Sequence, residues 1–190
     1  MKAICVYCGS SFGKSAVYGD AARALGTILA EREISLIYGG ASSGLMGIVA
    51  DAVLDAGGKA IGVLPDFMKD KEIAHTRLSQ LYVVDSMHER KAKMASLADG
   101  FIALPGGFGT LEEIFEALTW AQVDIHNKPC AFLNINGYFD MLFTFMDHMA
   151  SEGLLRPRHR ALPLLGSEPH ALLDTMAAYK ATPAARWDKT

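Results

Sequence analysis

The feature that most constrains the fold of this chain is a regular alternation of short aliphatic runs with longer amphipathic segments. Six runs rich in β-branched or aliphatic residues predict strands at Ala3–Tyr7, Ile34–Tyr38, Ala60–Leu64, Leu81–Val84, Phe101–Leu104 and Ala131–Asn134. Between them, apolar spacings near 3.6 predict helices, among them Ala16–Glu31, Leu45–Ala56, Met87–Ala98 and Leu111–Ala121. This alternation predicts an α/β fold: a Rossmann-like, doubly wound parallel sheet with helices on both faces.

Length and composition are those of one globular domain. The chain has 190 residues, of which 51% are hydrophobic and 21% charged, so it can bury its own core. We expect a single domain at 1–180 and a loosely held tail at 181–190. The net charge of -3 provides no general attraction for nucleic acid or an anionic membrane, so neither is an expected partner.

Three cysteines, an odd number, favour a reducing compartment over a disulfide framework. The amino-terminal apolar run is too short for the core of a signal peptide, and no stretch approaches the roughly 20 apolar residues of a membrane span. We therefore expect a cytoplasmic protein. The cysteines and the six histidines do not form a recognisable metal-binding pattern, so neither a metal nor a cofactor is expected.

Three loops that expose backbone follow predicted strands: Cys8–Ser11, Gly39–Gly44 and Pro105–Thr110. In a doubly wound sheet the carboxyl ends of the strands share one edge, and ligands bind there where the strand order reverses. The sequence therefore points three loops at one crevice. Ser10, in the first of them, is a substrate-binding candidate.

The turn at Pro105–Thr110 is the strongest candidate for an anion site. It precedes a predicted helix, so unpaired amides and the positive end of the helix dipole face its occupant. We expect Gly106, Gly107, Gly109 and Thr110 to bind a phosphate. Glycine also serves ordinary tight turns, which is the alternative for either glycine-rich loop alone. The turn matches neither a P-loop nor a dinucleotide fingerprint, which leaves a mono- or diphosphate.

Two charged groups accompany this turn. Glu112 and Glu113 lie in the first turn of the predicted helix, where Thr110 and Glu113 also match a capping box with Thr110 as the N-cap. Spacing alone leaves the catalytic and the capping interpretation of Glu113 equal. Upstream, helical spacing places Met87, Arg90 and Lys91 on one side of a helix. The alternative there is a solvated face, and a methionine stripe is usually core.

Three segments together closely resemble the LOG ("Lonely guy") family of cytokinin riboside 5′-monophosphate phosphoribohydrolases. They are Tyr38–Gly47, Met87–Lys91 and Pro105–Glu113, within a similarity that extends from Cys8 to about Pro129. The resemblance implies catalytic roles for Arg90 and Glu113, and a phosphate-binding turn at Gly106, Gly107, Gly109 and Thr110. Met87 and Lys91 are further substrate-binding candidates.

The resemblance implies hydrolysis of the N-glycosidic bond of a purine nucleoside 5′-monophosphate, with adenine or an N6-modified adenine as the base. A nucleotide sensor or carrier without hydrolytic activity is the alternative, and retention of Arg90 and Glu113 argues against it. Some family members carry a lysine decarboxylase label, but no site built around a Schiff-base lysine is recognisable here.

A homodimer is the last expectation from the sequence. The segment from Tyr138 to Met149 is apolar on most of its circumference, so it is either deeply buried or shared with another subunit. The dimerisation implied by the family resemblance favours sharing.

Overall fold

A computed structural model describes residues 1–68 and 74–180, and the predicted tail at 181–190 lies outside the described residues. Its strands are β1 (Ala3–Tyr7), β2 (Ser35–Tyr38), β3 (Ala60–Pro65), β4 (Gln80–Val84), β5 (Gly100–Ala103), β6 (Cys130–Leu133) and β7 (Pro163–Gly166). They form one parallel sheet in the order β4-β3-β2-β1-β5-β6-β7. The predicted parallel sheet is confirmed.

All six predicted strands are present, with ends within one residue of the prediction. The sequence interpretation missed β7. This strand begins at a proline and contains two leucines but no β-branched residue, so it lacks the composition that marks a strand. Its pairing with β6 forms it nonetheless, with Ala131 opposite Leu164.

The helices are α1 (Ala16–Glu31), α2 (Gly44–Asp55), α3 (Met87–Leu97), α4 (Phe108–Gln122), α5 (Asp140–Ser151), α6 (Pro157–Arg160) and α7 (Pro169–Ala177). Buried residues of α1, α2 and α7 pack into the core on one face of the sheet. Those of α3, α4 and α5 pack into the core on the other. The sheet is therefore covered on both faces, as predicted.

The order of the strands reverses between β1 and β5. From β1 the chain proceeds outward to β2, β3 and β4, and from β5 it proceeds the other way to β6 and β7. The loops after β1 and β5 consequently leave the sheet on opposite faces and open a crevice between them. The amide of Gly9 donates to the carbonyl of Pro105 at 3.1 Å and joins the two loops. Within the described residues no helix has the length and apolar character needed to cross a membrane.

Candidate active site

The turn after β5 has the geometry of an anion site. Helix α4 begins at Phe108 with Gly107 as its N-cap, so its first amides have no partner within the helix. A side chain at Gly107 or Gly109 would meet no atom within 4 Å. Glycine at these two positions therefore leaves the open side of the turn unobstructed, and the positive end of the helix dipole lies beside it.

On its other side the same turn packs tightly against neighbouring residues. A Cβ atom at Gly106 would run into Oγ1 and Cβ of Thr110, and Thr110 is itself buried at 3% exposure. The Tyr138 hydroxyl donates to the Gly106 carbonyl at 2.8 Å. Close contacts thus fix the backbone of the turn while its outward amides stay accessible.

The glycine-rich loop after β2 is of a different kind. A Cβ atom at Gly44 would run into the backbone of Ser10, and one at Gly47 into the carbonyl of Ser42. The Leu45 amide, at the start of α2, donates to the Gly9 carbonyl at 3.0 Å. These glycines allow backbone segments to pack together, so this loop supports the crevice rather than presenting open amides to it.

Arg90 reaches the same edge of the sheet from α3. Its side chain is buried, with 5% of the residue exposed. The guanidinium donates from Nε to the Val63 carbonyl at 3.1 Å and from Nη2 to the Gly39 carbonyl at 3.2 Å. A Cβ atom at Gly39 would run into Nη2, so the missing side chain at Gly39 makes room for the arginine. Two backbone oxygens thus orient the cation at the carboxyl ends of β2 and β3.

Two methionine sulfurs flank the guanidinium. Sδ of Met87 lies 3.8 Å and Sδ of Met68 3.9 Å from Nη1 of Arg90. Met87 is 36% exposed, so it borders solvent at the crevice. Ser10 is also exposed, in the loop after β1. The predicted Met87 and Ser10 are therefore both accessible, Ser10 in the loop after β1 and Met87 at the start of α3.

The structure decides the capping interpretation of Glu113. The predicted helix start was wrong, because α4 begins at Phe108 with Gly107, and not Thr110, as its N-cap. Glu113 consequently lies more than one turn into the helix, too far along for a capping box. The physical reason is the packing of Gly106 on Thr110, which draws Thr110 into the first turn of the helix.

The charge of Glu113 affects the pKa of two cysteine thiols, one in β1 and one just after it. Burial is the main cause of the raised pKa of the Cys8 thiol, and the Glu113 carboxylate raises it further. Burial also raises the pKa of Cys5, where Glu113 adds to the effect and the Arg90 cation opposes it. The charges of Arg90 and Glu113 thus both influence the pKa of the Cys5 thiol, in opposite directions.

The structure places Lys91 differently from its neighbour. Lys91 is 7% exposed, and its ammonium pairs with the carboxylates of Glu112 and Glu116 on α4. Burial lowers its pKa, but the hydrogen bonds that its ammonium donates to Glu112 and Glu116 outweigh this and hold the pKa above its ordinary value. A substrate-binding role for Lys91 stays a prediction, and its ammonium already has two partners.

Known proteins are related to this chain in sequence. Residues 46–176 match a family model described as "Possible lysine decarboxylase". The cytokinin riboside 5′-monophosphate phosphoribohydrolase LOG5 of Arabidopsis thaliana is 46% identical over 179 residues, covering 94% of this chain and 78% of that protein. The corresponding enzyme LOG of Oryza sativa subsp. japonica is 52% identical over 152 residues, covering 80% of this chain and 63% of that protein. The chain belongs to the LOG family.

A protein whose name does not refer to the LOG family has the same fold in a solved structure. A molybdenum cofactor binding protein from Rippkaea orientalis superimposes with a TM-score of 0.71 over 94% of this chain and 97% of that chain, at 21% identity. At that identity the similarity shows the shared fold alone.

Three residues that contact the candidate site residues were not among those predicted from the sequence: Gly39, Met68 and Tyr138. The Tyr-Gly-Gly pattern after β2 is visible in the sequence, but nothing in it indicates that Gly39 is bound by Arg90, 51 residues further along. Met68 and Tyr138 carry no motif at all. Their roles follow from loops that the sheet brings together. Among the described residues no group of three or more His, Cys, Asp or Glu side chains is arranged to hold a metal ion.

Proposed function

We propose that this protein hydrolyses the N-glycosidic bond of a purine nucleoside 5′-monophosphate, releasing the free base and ribose 5-phosphate. Adenine or an N6-modified adenine of the cytokinin type is the proposed base. The observation that carries the proposal is the open amide turn at the start of α4, next to the reversal of strand order and on the same helix as Glu113. Membership of a family whose relatives are named phosphoribohydrolases supports it.

The phosphate is proposed to bind at the turn. Amides of Gly106, Gly107 and Gly109, with the Thr110 hydroxyl, form the cradle, and each charge-assisted hydrogen bond contributes roughly 1.5–3 kcal/mol. Ser10 and Met87, both exposed, are proposed to contact the substrate at this crevice. A phosphate held here places the ribose along α4, on the side where Glu113 follows Thr110 by three residues.

Glu113 is proposed to act on the sugar. Cleavage of the bond between base and ribose builds positive charge on the anomeric carbon, and an ionised carboxylate stabilises that charge more in the transition state than in the ground state. The same carboxylate can orient the attacking water. The water oxygen forms the new bond to the anomeric carbon as the nitrogen of the base leaves and takes up a proton.

Arg90 is proposed to position substrate and stabilise charge. A guanidinium keeps its proton in proteins, so it does not serve as a general acid. Its hydrogen bonds to the Val63 and Gly39 carbonyls orient it before substrate arrives, which is the preorganisation that electrostatic catalysis needs. Neither Glu113 nor Arg90 needs a cofactor for these roles.

The description "Possible lysine decarboxylase" implies a different chemistry, which needs a lysine that forms a Schiff base with pyridoxal phosphate. Such a lysine must lose its proton to react. Lys91, beside Arg90, has a pKa raised by its two carboxylate partners, so it does not fit that role.

A homodimer and a cytoplasmic location complete the proposal. In α5 the side chains of Phe143 and Met146 are buried, whereas Met141 is 81% and Phe145 57% exposed. These outward apolar groups form the proposed subunit contact. The three cysteines, Cys5, Cys8 and Cys130, are free and buried, which agrees with a reducing compartment.

The test is product analysis with AMP, its N6-prenylated analogue and adenosine. We expect free base and ribose 5-phosphate from the two nucleotides, and very little from adenosine because it lacks the group that the turn binds. Binding of AMP without release of adenine or of the prenylated base would favour the sensor alternative. Equal turnover of AMP and adenosine would remove the phosphate cradle from the mechanism.

A further inference from the structure

Lys91 follows the proposed catalytic Arg90 in α3, but its ammonium group pairs with side chains of α4. The side chain is 9% exposed, and Nζ lies 3.0 Å from Oε1 of Glu116 and also pairs with Oε1 of Glu112. Both carboxylates belong to α4, one turn apart. The residue therefore forms an ion-pair bridge from α3 to α4.

A buried ammonium group is unfavourable unless its charge is compensated. Here two carboxylates on one face of α4 provide the compensation, and they keep the pKa of Lys91 above its ordinary value although burial opposes this. The side chains of Glu112 and Glu116 are 53% and 26% exposed. The bridge therefore lies partly within the protein and is shielded from solvent more than a surface ion pair is.

The position of the bridge is what suggests a function. Lys91 follows Arg90 in α3, and Glu112 precedes Glu113 in α4, so the bridge joins the immediate neighbours of the two proposed catalytic residues. The two helices pack on different parts of the sheet: α3 on β1, β2, β3 and β4, and α4 on β1, β5 and β6. Apart from their shared contact with β1, the two helices are linked directly by this ion-pair bridge.

We propose that Lys91 is a positioning residue: with Glu112 and Glu116 it holds α3 and α4 so that Arg90 and Glu113 act on the same ribose, and it does not bind the phosphate. This inference rests on the proposed phosphoribohydrolase function. In this proposal Lys91, the second residue of the Arg-Lys pair, acts by positioning the two helices. The sequence had instead predicted that Lys91 binds the substrate.

The experiment compares Lys91→Met, Glu112→Gln/Glu116→Gln and the triple variant, by kcat and KM for AMP and by calorimetric binding of ribose 5-phosphate. A displacement of about 1 Å in a catalytic constellation reduces rates by about 100-fold, so we expect Lys91→Met to lower kcat about 10- to 100-fold. The dissociation constant of ribose 5-phosphate should change by less than about threefold if Lys91 contributes none of the charge-assisted phosphate contacts. The triple variant should be no worse than Lys91→Met, because groups that act as one unit are not additive.

Lys93→Met is the matched control. Lys93 lies on the same helix, with Nζ 4.2 Å from the centre of the Tyr82 ring, away from α4. Its removal should leave kcat unchanged. If Lys91→Met does not fold, Glu112→Gln/Glu116→Gln replaces it, since this variant removes both carboxylate charges of the bridge; a lowered kcat supports the bridge and an unchanged one refutes it.

Two results would overturn the proposal. A rise of tenfold or more in the ribose 5-phosphate dissociation constant for Lys91→Met that persists in the triple variant would make Lys91 a phosphate ligand. A lower melting temperature with an unchanged kcat would make the bridge purely structural. Failure of the wild-type protein to release any base is a separate outcome, because it refutes the proposed function before the variants are compared.

Discussion

Gly39→Ala is the most direct test of how the structure holds Arg90. The backbone at Gly39 does not adopt a positive φ, so alanine fits the chain without strain. Its methyl group would collide with Nη2 of Arg90 and would also lie 3.2 Å from Sδ of Met46. Carbon and nitrogen atoms are normally about 3.5–4 Å apart in contact. The guanidinium must therefore retreat by about 1.5 Å or more to restore that contact range.

The magnitude follows from two contributions. A catalytic group displaced by about 1 Å costs about 100-fold in rate, which is about 2.7 kcal/mol in the activation free energy. The hydrogen bond from Nη2 to the Gly39 carbonyl, 3.2 Å long, is lost or weakened. Hydrogen bonds to charged groups contribute about 1.5–3 kcal/mol, so the free energy of unfolding should fall by an amount within that range.

The assay is adenine release from AMP, with Gly39→Ala made in wild type and in Arg90→Ala. We expect a loss of about 100-fold in kcat in wild type and less than about threefold in Arg90→Ala, where the methyl group meets no guanidinium. Gly19→Ala is the control, since its methyl group meets only the Ile48 side chain, at 3.2 Å. An equal loss in both backgrounds, or full activity of Gly39→Ala, would refute the reasoning.

Three further predictions concern other parts of the molecule. Glu113→Gln should lower kcat by about 100-fold or more with little change in Tm, because Glu113 does not cap α4; near-normal turnover would exclude the catalytic role. Phe145→Asp should shift the mass measured by light scattering from dimer to monomer, because Phe145 is 57% exposed, and a monomeric wild type at micromolar concentration would contradict the dimer. Hydrogen bonds from the backbone amides of Lys2 and Ala3 lower the pKa of Asp99. This carboxylate therefore stabilises the fold above its unfolded pKa of about 4, and the stabilisation is lost as pH falls through the lower folded pKa. Asp99→Asn should accordingly lower Tm near neutral pH, with the difference from wild type shrinking in acid; a difference independent of pH would refute this.

The sequence predicted the strands and helices well because their signals are local. Alternating aliphatic runs and helical spacings identified six of seven strands to within one residue. The start of α4 was the error that mattered. Thr110 and Glu113 satisfy the capping pattern, but the contact of Gly106 with Thr110 moves the helix start to Phe108. The capping motif, interpreted from the sequence alone, therefore predicted a helix start about one turn too late.

Glycine shows why the site was only partly predictable. In the sequence the loops after β2 and β5 look alike, each rich in glycine and followed by a helix. In the structure Gly107 and Gly109 face open space, whereas Gly39 and Gly44 allow close approach of Arg90 and Ser10. The difference depends on which residues of other segments pack against each loop, and the sequence of the loop does not indicate them.

By itself the sequence determined the α/β class, the covering of the sheet on both faces and the segments that meet at its edge, because these depend on periodicity and on residue types close together in the chain. Only the tertiary structure decided which charges meet. Arg90 and Lys91 are neighbours in one helix, yet the first bonds to carbonyls after β2 and within β3 and the second to carboxylates on α4. Consecutive helical residues project about 100° apart, so the order of the strands beneath the helix selects the partner of each.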